Sequence, residues 1–74
     1  MANRDVTTTI NGFTVEITHE DNGVNCTVGK GNFTASLAAL DATEELENFD
    51  TGETRLVGRP TINRIMTYAE NLGY

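Results

Sequence analysis

The sequence predicts an α+β fold: a four-stranded antiparallel meander, then two C-terminal helices packed on one face of it. Three observations carry this. Phe13 to His19 alternates strictly, with Phe13, Val15 and Ile17 in one phase and Thr14, Glu16 and Thr18 in the other, the pattern of a half-buried strand. Asn-Gly pairs stand on both sides of it, at Asn11-Gly12 and Asn22-Gly23, and Asn-Gly accepts the positive φ angles of tight hairpins. Near the C-terminus the period lengthens, and Ile62, Ile65, Met66, Ala69 and Leu72 fall on a helical stripe.

The elements follow in order. Residues 1–5 are polar and read as a frayed start. Val6 to Ile10 is the first strand and Phe13 to His19 the second. Glu20-Asp21-Asn22-Gly23 turns the chain into a third, Val24 to Val28, with Val24, Cys26 and Val28 inward. Gly29-Lys30-Gly31-Asn32 is another turn. Phe33, Ala35 and Leu37 mark the fourth strand. Short turns between consecutive strands make the spatial order 1-2-3-4 the simplest.

A first helix is expected over Ala42 to Phe49. Asp41 is a candidate N-cap, and Glu44 stands three residues on, as in a capping box. Asp50 to Gly58 reads as a loop. Pro60 suits the first turn of a second helix, and Gly73 its stop. These phases predict one apolar cluster of Phe13, Val15, Ile17, Val24, Cys26, Val28, Phe33, Ala35, Leu37, Leu46, Phe49, Ile62, Ile65, Met66, Ala69 and Leu72.

At 74 residues the chain is expected to form one domain, 1–74, with one thin core. A deep catalytic cleft is hard to enclose at this size, whereas a binding surface is not. The formal net charge is -6, and six of the eleven acids (Asp41, Glu44, Glu45, Glu47, Asp50 and Glu53) stand in one stretch with no base among them. Such a balance argues against direct nucleic-acid binding, because phosphates repel it. It fits a protein partner with basic groups or a solvated, solubilising segment. Arg55, Arg59 and Arg64 form a small basic group that could pair with these acids. The one cysteine excludes an internal disulfide and fits a reducing cytoplasm. No run approaches the length of a membrane span, and the N-terminus lacks a signal peptide's apolar stretch.

Little points to catalysis. His19, the one histidine, ends the central strand in the inward phase beside Glu20 and Asp21; no nucleophile or second ligand stands at a fitting spacing. Cys26 reads as a small buried hydrophobe. Gly29-Lys30-Gly31 lacks the full phosphate-loop spacing and joins strands, so it reads as a turn. No enzyme activity, cofactor, metal or small-molecule ligand is expected.

The run Leu40-Asp41-Ala42-Thr43-Glu44-Glu45-Leu46-Glu47-Asn48-Phe49, a glycine-containing loop, and Ile62-Asn63-Arg64-Ile65-Met66 resemble the C-terminal half of small phage-encoded anti-CRISPR proteins of the type I-F inhibitor group. The resemblance implies an inhibitor that binds the backbone subunits of a type I CRISPR surveillance complex in the host cytoplasm and blocks target DNA recognition. It also implies docking through the sheet. His19 stands where that family carries an interface tyrosine, and Gly29-Lys30 falls near its acidic position on the next strand. Two other readings stay open: an acidic DNA mimic acting on a host nucleic-acid enzyme, and a small structural or virion protein. The expected partner-binding residues are Thr14, Glu16, Thr18, His19, Glu20, Asn25 and Lys30, with Thr27, Thr34 and Ser36 on the same open face. The rival surface is the helical side, with Glu44, Glu47, Arg59 and Arg64.

Overall fold

A computed structural model describes residues 5–74; the expected frayed start lies, except for Asp5, outside the described residues. Six strands and two helices follow in order: β1 (Val6–Ile10), β2 (Phe13–Glu20), β3 (Gly23–Lys30), β4 (Phe33–Ser36), α1 (Leu37–Thr43), β5 (Glu45–Glu47), β6 (Thr54–Leu56) and α2 (Arg59–Asn71). The strands form one antiparallel sheet in the order β1-β2-β3-β4-β5-β6. The fold is thus α+β with the expected meander, extended by two short strands.

The central hairpin sets the register. Val15 pairs with Val28 and Ile17 with Cys26, so all four side chains share a face, and all four are buried. Asn11 (φ 52°) and Gly12 (φ 86°) supply the two positive angles of the β1–β2 turn. The next turn differs by one residue from the expected Asn22-Gly23. Its central pair is Asp21-Asn22, because Glu20 already pairs with Gly23, and the positive φ falls on Gly23 at 145°. Lys30 belongs to β3 and pairs with Phe33, which shortens the expected turn to Gly31-Asn32.

The expected helix over Ala42 to Phe49 is displaced. Helix α1 begins five residues earlier in the chain, at Leu37. Ser36, not Asp41, is its N-cap: the Ser36 hydroxyl accepts a hydrogen bond from the Ala39 N–H at 3.2 Å. Leu-Ala-Ala-Leu behind it is a strong helix former, and Leu37 and Leu40, three apart, both point into the core. Leu37 therefore opens a helix instead of closing β4. Glu44 ends the helix in the left-handed region (φ 61°, ψ 29°), where its N–H donates to the Leu40 carbonyl at 2.7 Å.

Beyond it, Glu45-Leu46-Glu47 alternates as a strand, with Leu46 buried between two carboxylates. Asn48 builds the following turn. Its side-chain carbonyl accepts from the Asp50 N–H at 3.0 Å, its backbone N–H donates to Glu53, and its carbonyl accepts from Gly52. The chain returns as β6 inside the stretch expected to be loop. Phe49, placed in the core by the helical phase, sits on this turn and is 71% exposed.

Helix α2 matches its expected signals. Pro60 lies in its first turn, and Gly73 (φ 105°) follows its end. Ile62, Ile65 and Ala69 are fully buried, with Met66 and Leu72 partly so. Leu40 and Val57 also join the buried core, and Ile10 and Tyr68 pack against it, four side chains absent from the expected cluster. Arg59 joins the helices. Its guanidinium donates to the Asp41 and Glu44 carboxylates, at 2.6 Å each, and to the Asp41 carbonyl at 2.8 Å. The hydrogen bonds that it donates to the Glu44 and Asp41 carboxylates raise the Arg59 pKa above its ordinary value. Among the described residues no helix is long and apolar enough to cross a membrane.

Ile65→Ala is expected to cost about 2–5 kcal/mol, the usual range for emptying a fully buried aliphatic site. Phe49→Ala is expected to stay within about 0.5 kcal/mol, as for other surface changes. Urea midpoints of the two variants check both, and a reversed ranking contradicts the displaced helix.

Candidate interaction surface

Both helices put their buried residues on the Val15–Val28 side, so the opposite face of the sheet stays open among the described residues. Cross-strand pairs put its residues in rows. One row runs Thr9, Thr14, Gly29, Thr34, Glu47 and Thr54 across all six strands. A second runs Thr7, Glu16, Thr27 and Ser36, and Thr18 pairs with Asn25. Six strands at the usual spacing span about 24 Å. The face is therefore broad, and short hydroxylated side chains dominate it. They have few rotamers to lose on contact, which keeps the entropic cost of docking low.

Gly29 leaves a dip in the first row. A Cβ there would lie 3.3 Å from the Phe33 carbonyl oxygen, so the neighbouring strand crowds this position. The depression, about 280 Å³, is bordered by Thr14, Glu16, Thr27 and Thr34. Thr34 is pinned by donating its hydroxyl to the Val28 carbonyl at 3.2 Å. At the β5–β6 end a second depression holds Glu45, Glu47, Thr54 and the ring of Phe49.

The seven expected residues divide. Thr14, Glu16, Thr18, Glu20 and Asn25 share the open face through the register of β2 and β3. His19 and Lys30 are in the opposite phase, so the seven do not form one surface. His19 pairs with Val24, and its Nε2–H donates to the Leu72 carbonyl at 2.7 Å. It ties the end of α2 to the sheet, a structural role. Lys30 turns toward the covered side, where its ammonium lies 5.1 Å from the centre of the Phe13 ring. The Arg55 guanidinium lies 4.9 Å from the Phe33 ring centre. The two cation–ring pairs flank a cavity of about 370 Å³ that reaches Leu46 and Val57.

The rival surface divides as well. Glu47 lies on the open sheet face, opposite Thr34. Glu44 and Arg59 are joined to each other at the junction of the helices, and Arg64 is exposed on α2. Phe49 and Thr54 belong to the open face and were missed. The signal for them was the Glu-Leu-Glu alternation followed by Asn48, Asp50 and Gly52, a strand and a turn in place of a helix.

Cys26 is 4% exposed, and burial pushes its thiol up to about 11. Among the described residues no three of His, Cys, Asp and Glu are grouped to hold a metal ion. Comparison with protein-family models, curated proteins and solved structures finds no match to this chain.

The native chain is expected to react with a disulfide reagent at pH 8 far more slowly than the urea-unfolded chain, because a thiolate is the nucleophile. Equal rates in the two states contradict the buried, protonated thiol. His19→Ala is expected to speed amide exchange at Leu72, Gly73 and Tyr74 while leaving the centre of β2 protected. Unchanged exchange there removes His19 from its tying role.

Proposed function

We propose that the chain is a small inhibitor of phage type that works by binding another protein through the open face of its sheet. The observation behind this reading is that face itself: a six-strand array dominated by threonines, with Glu16 and Glu47 among them and both helices on the other side. Phe49 at its margin supplies an exposed aromatic anchor, the kind of residue on which interface energy concentrates. Backbone and hydroxyl groups there fit close packing against another protein's main chain.

The finer form of the proposal comes from the resemblance to type I-F anti-CRISPR inhibitors. In that form the partner is the set of backbone subunits that hold the guide RNA in a type I surveillance complex, and docking in the host cytoplasm stops target DNA from pairing. The reading requires no catalysis, cofactor, membrane or direct nucleic-acid contact. The acidic DNA mimic is the weaker reading, because Arg59 holds two of the six clustered acids, Asp41 and Glu44, in ion pairs.

Binding of purified type I surveillance complex to the immobilised chain tests both levels. Glu16→Arg with Glu47→Arg, both on the open face, is expected to weaken binding by about tenfold or more. Arg64→Glu with Glu70→Arg, both exposed on α2, is expected to leave it unchanged. The reverse pattern moves the interface to the helices. Absence of binding by the unmodified chain removes this partner.

A further inference from the structure

We propose that β1 is a self-complementary edge and that two copies of this chain pair through it, β1 against β1, into one continuous antiparallel sheet. Among the described residues no strand pairs with the outer side of β1. Edges of this kind are usually blunted by a charge, a proline or a bulge. Val6-Thr7-Thr8-Thr9-Ile10 contains no charge and no proline, and it pairs with β2 residue for residue without a bulge.

The register follows from the turn. Asn11 and Gly12 form a two-residue turn with positive φ at both positions, and such a turn closes on a hydrogen-bonded pair, here Ile10 with Phe13. Hydrogen-bonded and non-hydrogen-bonded pairs then alternate along an antiparallel ladder. Thr8 with Val15 and Val6 with Ile17 are therefore hydrogen-bonded, whereas Thr7 with Glu16 and Thr9 with Thr14 are not. The N–H and C=O groups of Thr7 and Thr9 point away from β2, toward the free edge.

A second copy is the occupant that this edge fits. The strand reads apolar-Thr-Thr-Thr-apolar in both directions. A two-fold axis at Thr8 sets Thr7 against the second copy's Thr9 as a hydrogen-bonded pair, and Thr9 against its Thr7. Four outward backbone groups on each copy find partners at once. In that register Val6 faces the second copy's Ile10 on the covered side, and no like charges oppose each other along the paired strands. Thr7 and Thr9 keep their place on the open face, so the two threonine faces become continuous. A C2 interface uses the same patch on both copies, and this strand meets that condition in sequence, hydrogen bonding and side-chain phase together.

Sedimentation equilibrium of the full chain tests the pairing, with three variants beside the unmodified protein. The unmodified chain is expected to show a reversible monomer–dimer equilibrium. Thr9→Pro removes an N–H that points away from β2, so the β1–β2 ladder is kept; it is expected to weaken the dimer by about tenfold or more. Thr7→Lys with Thr9→Lys sets Lys against Lys across the axis and is expected to yield monomer. Thr7→Lys with Thr9→Glu sets Lys against Glu and is expected to restore the dimer. A chain that stays monomeric at every concentration overturns the proposal. So does a dimer that Thr9→Pro and the double-lysine variant both leave unchanged, since its interface then lies elsewhere. Circular dichroism confirms that each variant is folded, and a double-lysine variant that dimerises as well as the Lys–Glu variant also overturns it.

Discussion

A strand of alternating side chains has two faces, and in a chain of this size only one of them can be covered. That constraint organises the molecule. Val15, Ile17, Cys26 and Val28 meet across the β2–β3 ladder and commit one side of the sheet to burial. A one-residue slip would exchange every buried side chain for a threonine, a glutamate or an asparagine, so the register is strongly held. The rest of the chain covers that side: Leu37 and Leu40 from α1, Leu46 and Val57 around the last hairpin, and Ile62, Ile65 and Ala69 from α2. The open threonine face is the other half of the same constraint.

Two local devices decide how the cover is laid. Ser36 caps α1 directly behind β4, so the chain leaves the sheet and crosses its buried side at once. Glu44 in the left-handed region then stops the helix after two turns and sends Glu45–Glu47 back to the sheet beside β4. Arg59 locks this reversal from the next helix by holding the residues on either side of the helix end, Asp41 and Glu44. The ion pairs are half exposed and contribute modestly to stability. Their larger effect is on placement, because they fix where α2 begins relative to the end of α1.

The strands of the meander and α2 were legible because each carries a strong period and punctuation of its own: alternation between glycine turns, and a 3.6-residue stripe between Pro60 and Gly73. The stretch from Leu37 to Leu56 was not. It holds two competing N-caps, Ser36 and Asp41, and only packing chooses between them. The choice of Ser36 buries Leu37, Leu40 and Leu46 together, whereas a helix from Ala42 would have buried Phe49. Three-residue strands such as β5 and β6 have too few positions for a period to register. The interaction surface was legible to the same extent. Thr14, Glu16, Thr18, Glu20 and Asn25 follow from strand parity. Glu47, Thr54 and Phe49 depend on β5 and β6 and could not be placed without them. His19 already reads in the inward phase, and the resemblance alone placed it on the binding surface; Lys30 reads as part of a turn, although it closes β3 in the covered phase.

The central claim is that one face of a six-stranded sheet is left open and that the acidic stretch after α1 is part of it. The most direct measurement is the nuclear Overhauser pattern of residues 34–56 in the labelled chain. The account predicts cross-strand contacts between Thr34 and Glu47 and between Leu46 and Arg55, with sequential helical contacts ending at Thr43. Helical contacts running on from Ala42 to Phe49, with no contact between Thr34 and Glu47, would end the open face at β4 and contradict the account.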